Sequence, residues 1–185
     1  IIFVGSLLLN EPYKLKGSEI TSPAAAPTFS LKSSHGDQYQ LKDHQGKIVI
    51  LFFGYTYCPD ICPTTLYMFK EVMDRLGKKS NELEVVFITV DPDRDTQEKL
   101  SSYLKTFDDT FFGLTGNEID LETVWKEYGV FRQVSNVAGG KGYLVDHSTR
   151  LYLIDKKGNL RVTYLVDTPV TDLVSDIKYL LKSTE

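Results

Sequence analysis

"KIVILFFGYTYCPDICPTTL", Lys47 to Leu66, passes from an unbroken apolar run through both cysteines of the chain and into a helical pattern. "KIVILFFGY" is rich in β-branched and aromatic residues with no polar alternation, the signature of a strand buried on both faces. After the cysteines, Leu66, Phe69, Met73 and Leu76 recur at helical spacing, and Gly77 with Lys78 and Lys79 supplies a stop. A doubly buried strand that hands directly to an amphipathic helix belongs to a sheet covered by helices.

Downstream, "LEVVFITVD" is a second buried strand, and "DTQEKLSSYLKTF" is a helix for which Asp95 and Glu98 fit a capping box. "TFFGLTG" is a short strand. "NEIDLETVWKEYG" is a helix capped by Asn117 and ended by Gly129. A Gly-rich loop, "SNVAGGKG", comes before a strand–turn–strand hairpin, "TRLYLIDKKGNLRVTYLV". The closing helix is "TPVTDLVSDIKYLLK", with Thr168 as cap and Pro169 in its first turn.

Upstream, "FSLKSSHGDQYQLKDHQGK" has two short alternating runs about a turn and predicts a β-hairpin. Glu11 to Pro27 lacks periodicity and reads as a linker or surface-hugging arm. "IIFVGSLLLN" is apolar only as far as Leu9, whereas a spanning helix needs roughly 20 apolar residues. It reads as the tail of a longer hydrophobic segment, a buried first strand or helix turn being the other reading. We therefore expect residues 1–27 to be the remnant of a membrane anchor plus linker, and residues 28–185 to be the folded domain. The order of elements predicts an α/β, thioredoxin-like fold with an N-terminal β-hairpin extension and an inserted strand–helix element.

The totals exclude several classes. At 185 residues the chain suffices for one domain with a real core. The net charge of −4, with no block of Lys or Arg, argues against nucleic acid as a partner. Two cysteines are too few for a disulfide scaffold.

Cys58 and Cys62 lie where the first buried strand gives way to its helix. Cys62 precedes Pro63 and is expected at the cap, with Cys58 in the loop above it. Both sulfurs then approach the positive end of the helix dipole, which favours thiolate over thiol. Thiolates serve as nucleophiles and as metal ligands, and a Cys-x-x-x-Cys pair alone also fits a structural disulfide, so location leaves the role open. Two observations narrow it. Redox enzymes of this plan usually carry Cys-x-x-Cys. In thioredoxins, moreover, the loop before the final hairpin presents a cis-proline to the cysteine pair, and here that loop reads "LVDHSTRLYLID", with His147 in its place. Two thiolates and an imidazole form a soft, three-ligand set. Structural zinc usually takes four ligands, whereas thiolates select Cu(I) and imidazole suits either copper state.

The remaining candidates read as structure. His35 and His44 belong to the hairpin turn and its trailing loop and are expected to be exposed turn residues. Met68 and Met73 are helix residues, too few for a thioether site. Asp91, Asp93 and Asp95 in "VDPDRDT" suit turn and cap chemistry. Asp91 or Asp146 is the candidate to hydrogen-bond a ligating imidazole from behind. Phe52, Phe53, Tyr55 and Tyr57 are core or site wall.

"FFGYTYCPDICPTTL", "ITVDPDRDT", "GLTG" and "VDHSTRLYLID", in that order, resemble the Sco/SenC family of copper chaperones from about Pro27 to the carboxyl end. The resemblance implies a thioredoxin-like domain tethered by one N-terminal membrane helix. It implies copper, as Cu(I), Cu(II) or both, held by Cys58, Cys62 and His147, and a role in building the dinuclear copper centre of cytochrome c oxidase. The implied partners are the oxidase's copper-binding subunit, another copper carrier as donor, and a membrane. The implied location is the extracytoplasmic face of a bacterial membrane or the intermembrane-space side of the mitochondrial inner membrane. A thiol-disulfide oxidoreductase acting through a redox-active Cys58 and Cys62 on the same subunit is the alternative. Tyr57 departs from many relatives, which carry His before the first cysteine.

Overall fold

The computed structural model describes residues 13–137 and 142–183. Ten strands and four α-helices follow in the order β1 (Ser18–Ala25), β2 (Ser30–Ser33), β3 (Gln38–Gln40), β4 (Ile48–Gly54), α1 (Ile61–Leu76), β5 (Leu83–Thr89), α2 (Gln97–Leu104), β6 (Phe112–Thr115), α3 (Glu118–Glu127), β7 (Arg132–Asn136), β8 (Tyr143–His147), β9 (Arg150–Ile154), β10 (Asn159–Leu165) and α4 (Val170–Lys182). Eight strands form one sheet in the order β1-β10-β9-β4-β5-β6-β2-β3, and β7 and β8 form a separate ribbon.

The centre of the sheet is the pair of strands with unbroken apolar sequence. β4 and β5 run parallel in register from Ile48↔Leu83 to Gly54↔Thr89, and every residue of both is buried. A parallel pair needs a crossover, which α1 provides. Leu66, Phe69, Val72 and Leu76 form its buried stripe, and its neighbour on that side is α4. Gly77 ends α1 with φ 56°, a left-handed value that favours glycine. β6 extends the sheet parallel to β5, and the β2–β3 hairpin adds antiparallel beyond it. On the other flank β9 and β10 run antiparallel. The thioredoxin-like plan, its N-terminal hairpin and its inserted β6–α3 piece are all present.

Several local expectations differ. Glu11 to Pro27 is not merely an arm, because Ser18–Ala25 forms edge strand β1 antiparallel to β10, with an irregularity between Glu19 and Ala24. An edge strand tolerates a proline such as Pro23. Helix α2 is capped by Thr96, whose side chain accepts from the Lys99 N–H. Asp95, expected in a capping box, is buried instead. Helix α4 starts after Pro169 rather than after a Thr168 cap, and no side chain caps it. Strands β7 and β8 were not foreseen, and His147, expected in a loop, is the last residue of β8. The apolar stretch Ile1–Asn10 lies outside the described residues. Among those described, no helix is long and apolar enough to cross a membrane.

Candidate metal centre

The site forms beyond the carboxyl end of β4, where Gly54 closes the strand. A side-chain carbon at Gly54 would stand 2.8 Å from the Cys62 sulfur and 2.7 Å from Phe87 Cε2, so only glycine lets the backbone pass that close. From here Tyr55 to Asp60 loops over to α1, and the Cys58 N–H donates back to the Tyr55 carbonyl at 3.2 Å.

Cys62 is not the helix cap. Asp60 is, and Cys62 occupies the first turn with Pro63 behind it. A proline there costs little, because first-turn N–H groups have no intrahelical partner in any case. One such N–H, that of Cys62, points at the Cys58 sulfur at 3.4 Å. Cys62 is buried and Cys58 half-buried, and no disulfide joins them.

The two sulfurs divide one proton between them. Cys58 is lowered to about 4, first by the hydrogen bond from the Cys62 thiol, with the N–H groups of Cys62 and Asp60 adding to it, against the opposing effect of burial. Cys62 is pushed far up, because its proton is held by the Cys58 thiolate and burial disfavours a second charge. The pair thus stands as an accessible thiolate beside a buried thiol.

His147 arrives from the separate ribbon. In a strand, alternate residues share a face, so Tyr143, Val145 and His147 of β8 all look toward the body of the protein. Val145 is buried and its N–H donates to the Tyr55 hydroxyl at 3.3 Å. The His147 ring lies edge-on to Tyr55 with centroids 5.8 Å apart. Its Nδ1 is 2.9 Å from the Ser148 carbonyl oxygen. A carbonyl only accepts, so Nδ1 carries the proton and the Nε2 lone pair faces Cys62 Sγ at 3.8 Å. The backbone therefore orients the imidazole, and neither Asp91 nor Asp146 does. Asp146 accepts from Ser135 on the outer face of the ribbon.

Asp91 and Asp95 act elsewhere. Asp95, fully buried, accepts from the Thr56 N–H, the Thr56 hydroxyl at 2.6 Å and the Thr89 hydroxyl at 2.7 Å, tying the cysteine loop to the end of β5. Asp91 accepts from Arg94 Nε and from the Tyr143 hydroxyl at 2.7 Å. Arg94 also donates to the Tyr143 carbonyl at 3.0 Å and lies over the rings of Tyr143 at 3.6 Å and Tyr57 at 4.7 Å. Arg94, Tyr143 and Thr56 were not singled out from sequence. Of the three only Arg94 lies in "VDPDRDT", which follows a strand ending at the same sheet edge as the cysteines, and no local pattern ties it to Tyr143 or Thr56.

Cys58, Cys62 and His147 thus offer one donor atom each, all within 4.8 Å of one another, and they are the one such group of His, Cys or acidic residues among those described. The donor set is soft and open, and it fits a copper site. His35 and His44 are remote from it. His44 pairs with Glu84 at 2.7 Å and stacks on Tyr39, so it is half-buried rather than an exposed turn residue, while His35 is exposed beside Phe112. Met68 and Met73 pack against the core. Phe52, Phe53 and Tyr55 are core or site wall as expected, and Tyr57 is half-exposed above Arg94.

The SCO1/SenC family model matches residues 18–182. A SCO2-like protein of Rickettsia felis is 36% identical over 151 residues, covering 81% of this chain and 74% of its own. Among solved structures, Bradyrhizobium japonicum ScoI with copper bound aligns with a TM-score of 0.78 at 33% identity, over 85% of this chain and 100% of that one. Apo Sco1 of Thermus thermophilus aligns at 0.81 and 34%, over 96% of this chain and 100% of its own.

Proposed function

This chain belongs to the SCO1/SenC family, and from that premise we propose that it is a copper carrier for cytochrome c oxidase. Copper is the cargo, taken up by Cys58, Cys62 and His147 and passed by ligand exchange to the oxidase's copper-binding subunit. The observation that carries this reading is the convergence of three donors within 4.8 Å, with the His147 lone pair already turned inward.

The chemistry follows from the arrangement. Cys58, half-buried and with its thiol pKa lowered, is the donor an incoming copper ion meets first. Cys62 must give up its proton to become the second thiolate, and His147 Nε2 supplies the neutral third donor. A set of three donors with an open side also lets a recipient's ligand enter before one of them leaves, as direct transfer requires. The same openness permits a second carrier to act as copper donor. We further propose that the domain works tethered to a membrane on its extracytoplasmic side, with the apolar Ile1–Leu9 as part of the anchor.

One observation favours a second reading, that of a thiol-disulfide oxidoreductase. The Cys58 thiolate is accessible, and Cys62 lies beside it as a resolving thiol. In that role Cys58 attacks a recipient disulfide, forming a mixed disulfide and releasing one recipient thiolate. Cys62, losing its proton, then attacks Cys58, which frees the second recipient thiolate and leaves a Cys58–Cys62 bridge.

The two readings separate in one anaerobic experiment. The copper-loaded protein is mixed with a soluble, metal-free copper-binding domain of the oxidase, supplied either reduced or as its disulfide. A carrier moves copper to the reduced recipient while Cys58 and Cys62 remain thiols. A reductase opens the oxidised recipient and ends with its own pair bridged. Neither metal movement nor thiol exchange would remove both readings.

A further inference from the structure

We propose that Arg94 is a positioning residue of this centre: it pins the ribbon that carries His147 to the loop that carries Cys58. The inference rests on the copper reading above and assigns Arg94 a role in the same site.

The need for such a pin comes from the topology. Among the described residues β8 pairs only with β7, and this ribbon is not hydrogen-bonded strand to strand into the main sheet. A strand inside a sheet has its position set by the ladder, whereas β8 must be held by side chains. Arg132 of β7 holds the ribbon by donating to the Val90 carbonyl, and Arg94 holds it at β8. Arg94 Nε donates to Asp91, its Nη1 donates to the Tyr143 carbonyl, and its guanidinium lies over the rings of Tyr143 and Tyr57. Tyr57 immediately precedes Cys58. Tyr143 shares the inward face of β8 with His147. Asp91 is buried, and its N–H donates to the Thr89 hydroxyl, so it fixes the assembly to the end of β5. One side chain therefore joins three segments that meet at the metal donors.

The chemistry is particular to arginine. A planar fork can satisfy a carboxylate and a carbonyl while stacking on two aromatic faces, and an ammonium cannot do all of this at once. With the pin in place, the ribbon is ordered before metal arrives, and His147 contributes its full share of affinity. Without it, closing the site must also order the ribbon. The loss then falls on the histidine's share and leaves the cysteines' share alone.

The test is a double-mutant cycle with a metal-free arm. Cu(I) affinity is measured by chelator competition for the wild type and Arg94→Lys, each with His147 intact and with His147→Ala. Amide exchange of Val145 is followed in the copper-free proteins. We expect Arg94→Lys to weaken copper binding roughly tenfold when His147 is present and by less than about twofold when it is absent. Val145 exchange should quicken in the copper-free variant. The half-exposed Tyr57→Ala, whose folding is not at risk, should shift both readouts the same way by less. Full activity of Arg94→Lys would show that only the charge matters and overturn the proposal. So would an equal loss in both backgrounds, or unchanged Val145 exchange. A wild type that binds no Cu(I) would overturn the carrier reading instead, and the exchange arm would still judge Arg94.

Discussion

His147 Nε2 lies 3.8 Å from Cys62 Sγ although 85 positions separate the two residues. Two local facts bring them together. Cys62 sits in the first turn of α1, just past the buried end of β4, and His147 sits on the inward face of a ribbon packed over that end. The Ser148 carbonyl then sets the tautomer, so the lone pair faces the sulfur rather than solvent.

Gly54 leaves the space that the Cys62 sulfur occupies. In Gly54→Ala the new methyl would need the space of Cys62 Sγ and of Phe87, which is fully buried and cannot retreat. We expect a loss of about 1–3 kcal/mol in urea unfolding of the copper-free protein, the usual cost of overpacking, together with weaker copper binding. A neutral result in both would mean that the strand end is not held where the structure places it.

Asp95 holds the cysteine loop from beneath. Its two oxygens receive the Thr56 N–H and the hydroxyls of Thr56 and Thr89, all donors, so an amide at this position leaves at least one donor facing an NH2 group. Asp95→Asn should lower stability by about 1–3 kcal/mol. It should also speed exchange of the Thr56 amide, read by NMR. An unchanged Thr56 amide would show that the loop is held by other contacts.

Cys58 should react as a thiolate well below neutral pH. Only the thiolate is alkylated. With Cys58 lowered to about 4, chiefly by the hydrogen bond from Cys62, its thiolate fraction is nearly complete from pH 6 upward. The rate with iodoacetamide should therefore stay nearly flat between about pH 6 and 8, where an ordinary thiol of pKa about 8.5 slows almost tenfold per unit. Mass spectrometry should find the label on Cys58 and not on the buried Cys62. A rate that falls steeply with pH across that interval would contradict the shared-proton pair.

The fold was legible wherever a segment's own pattern decided it. β4 and β5 announce themselves as apolar runs, and α1 by its spacing, so the parallel centre and the place of both cysteines followed directly. β1 was missed because "SEITSPAA" is almost wholly exposed along one edge and contains a proline. β7 was missed for a related reason: "RQVSN" leaves no residue fully buried, so no alternation marks it. The three donors were legible because cysteine and histidine are scarce here and the order of elements placed them together. Arg94 was not, since its work depends on a carbonyl 49 residues away. The helix starts moved by one or two residues because several residue types can cap, and tertiary contacts decide which one does. Asp95 is the clearest case, being drawn inward by Thr56 and Thr89 while Thr96 takes the cap.

The central claim is that Cys58, Cys62 and His147 form one copper site. It is tested most directly by Cu(I) titration of the reduced protein without oxygen, against a competing chelator, beside His147→Ala and the double variant Cys58→Ser with Cys62→Ser. The account predicts one tightly bound copper per chain, a loss of about a hundredfold or more without the imidazole, and no competitive binding without the thiols. Equal affinity for wild type and His147→Ala would contradict it, showing that the histidine, though aimed at Cys62, is not a ligand.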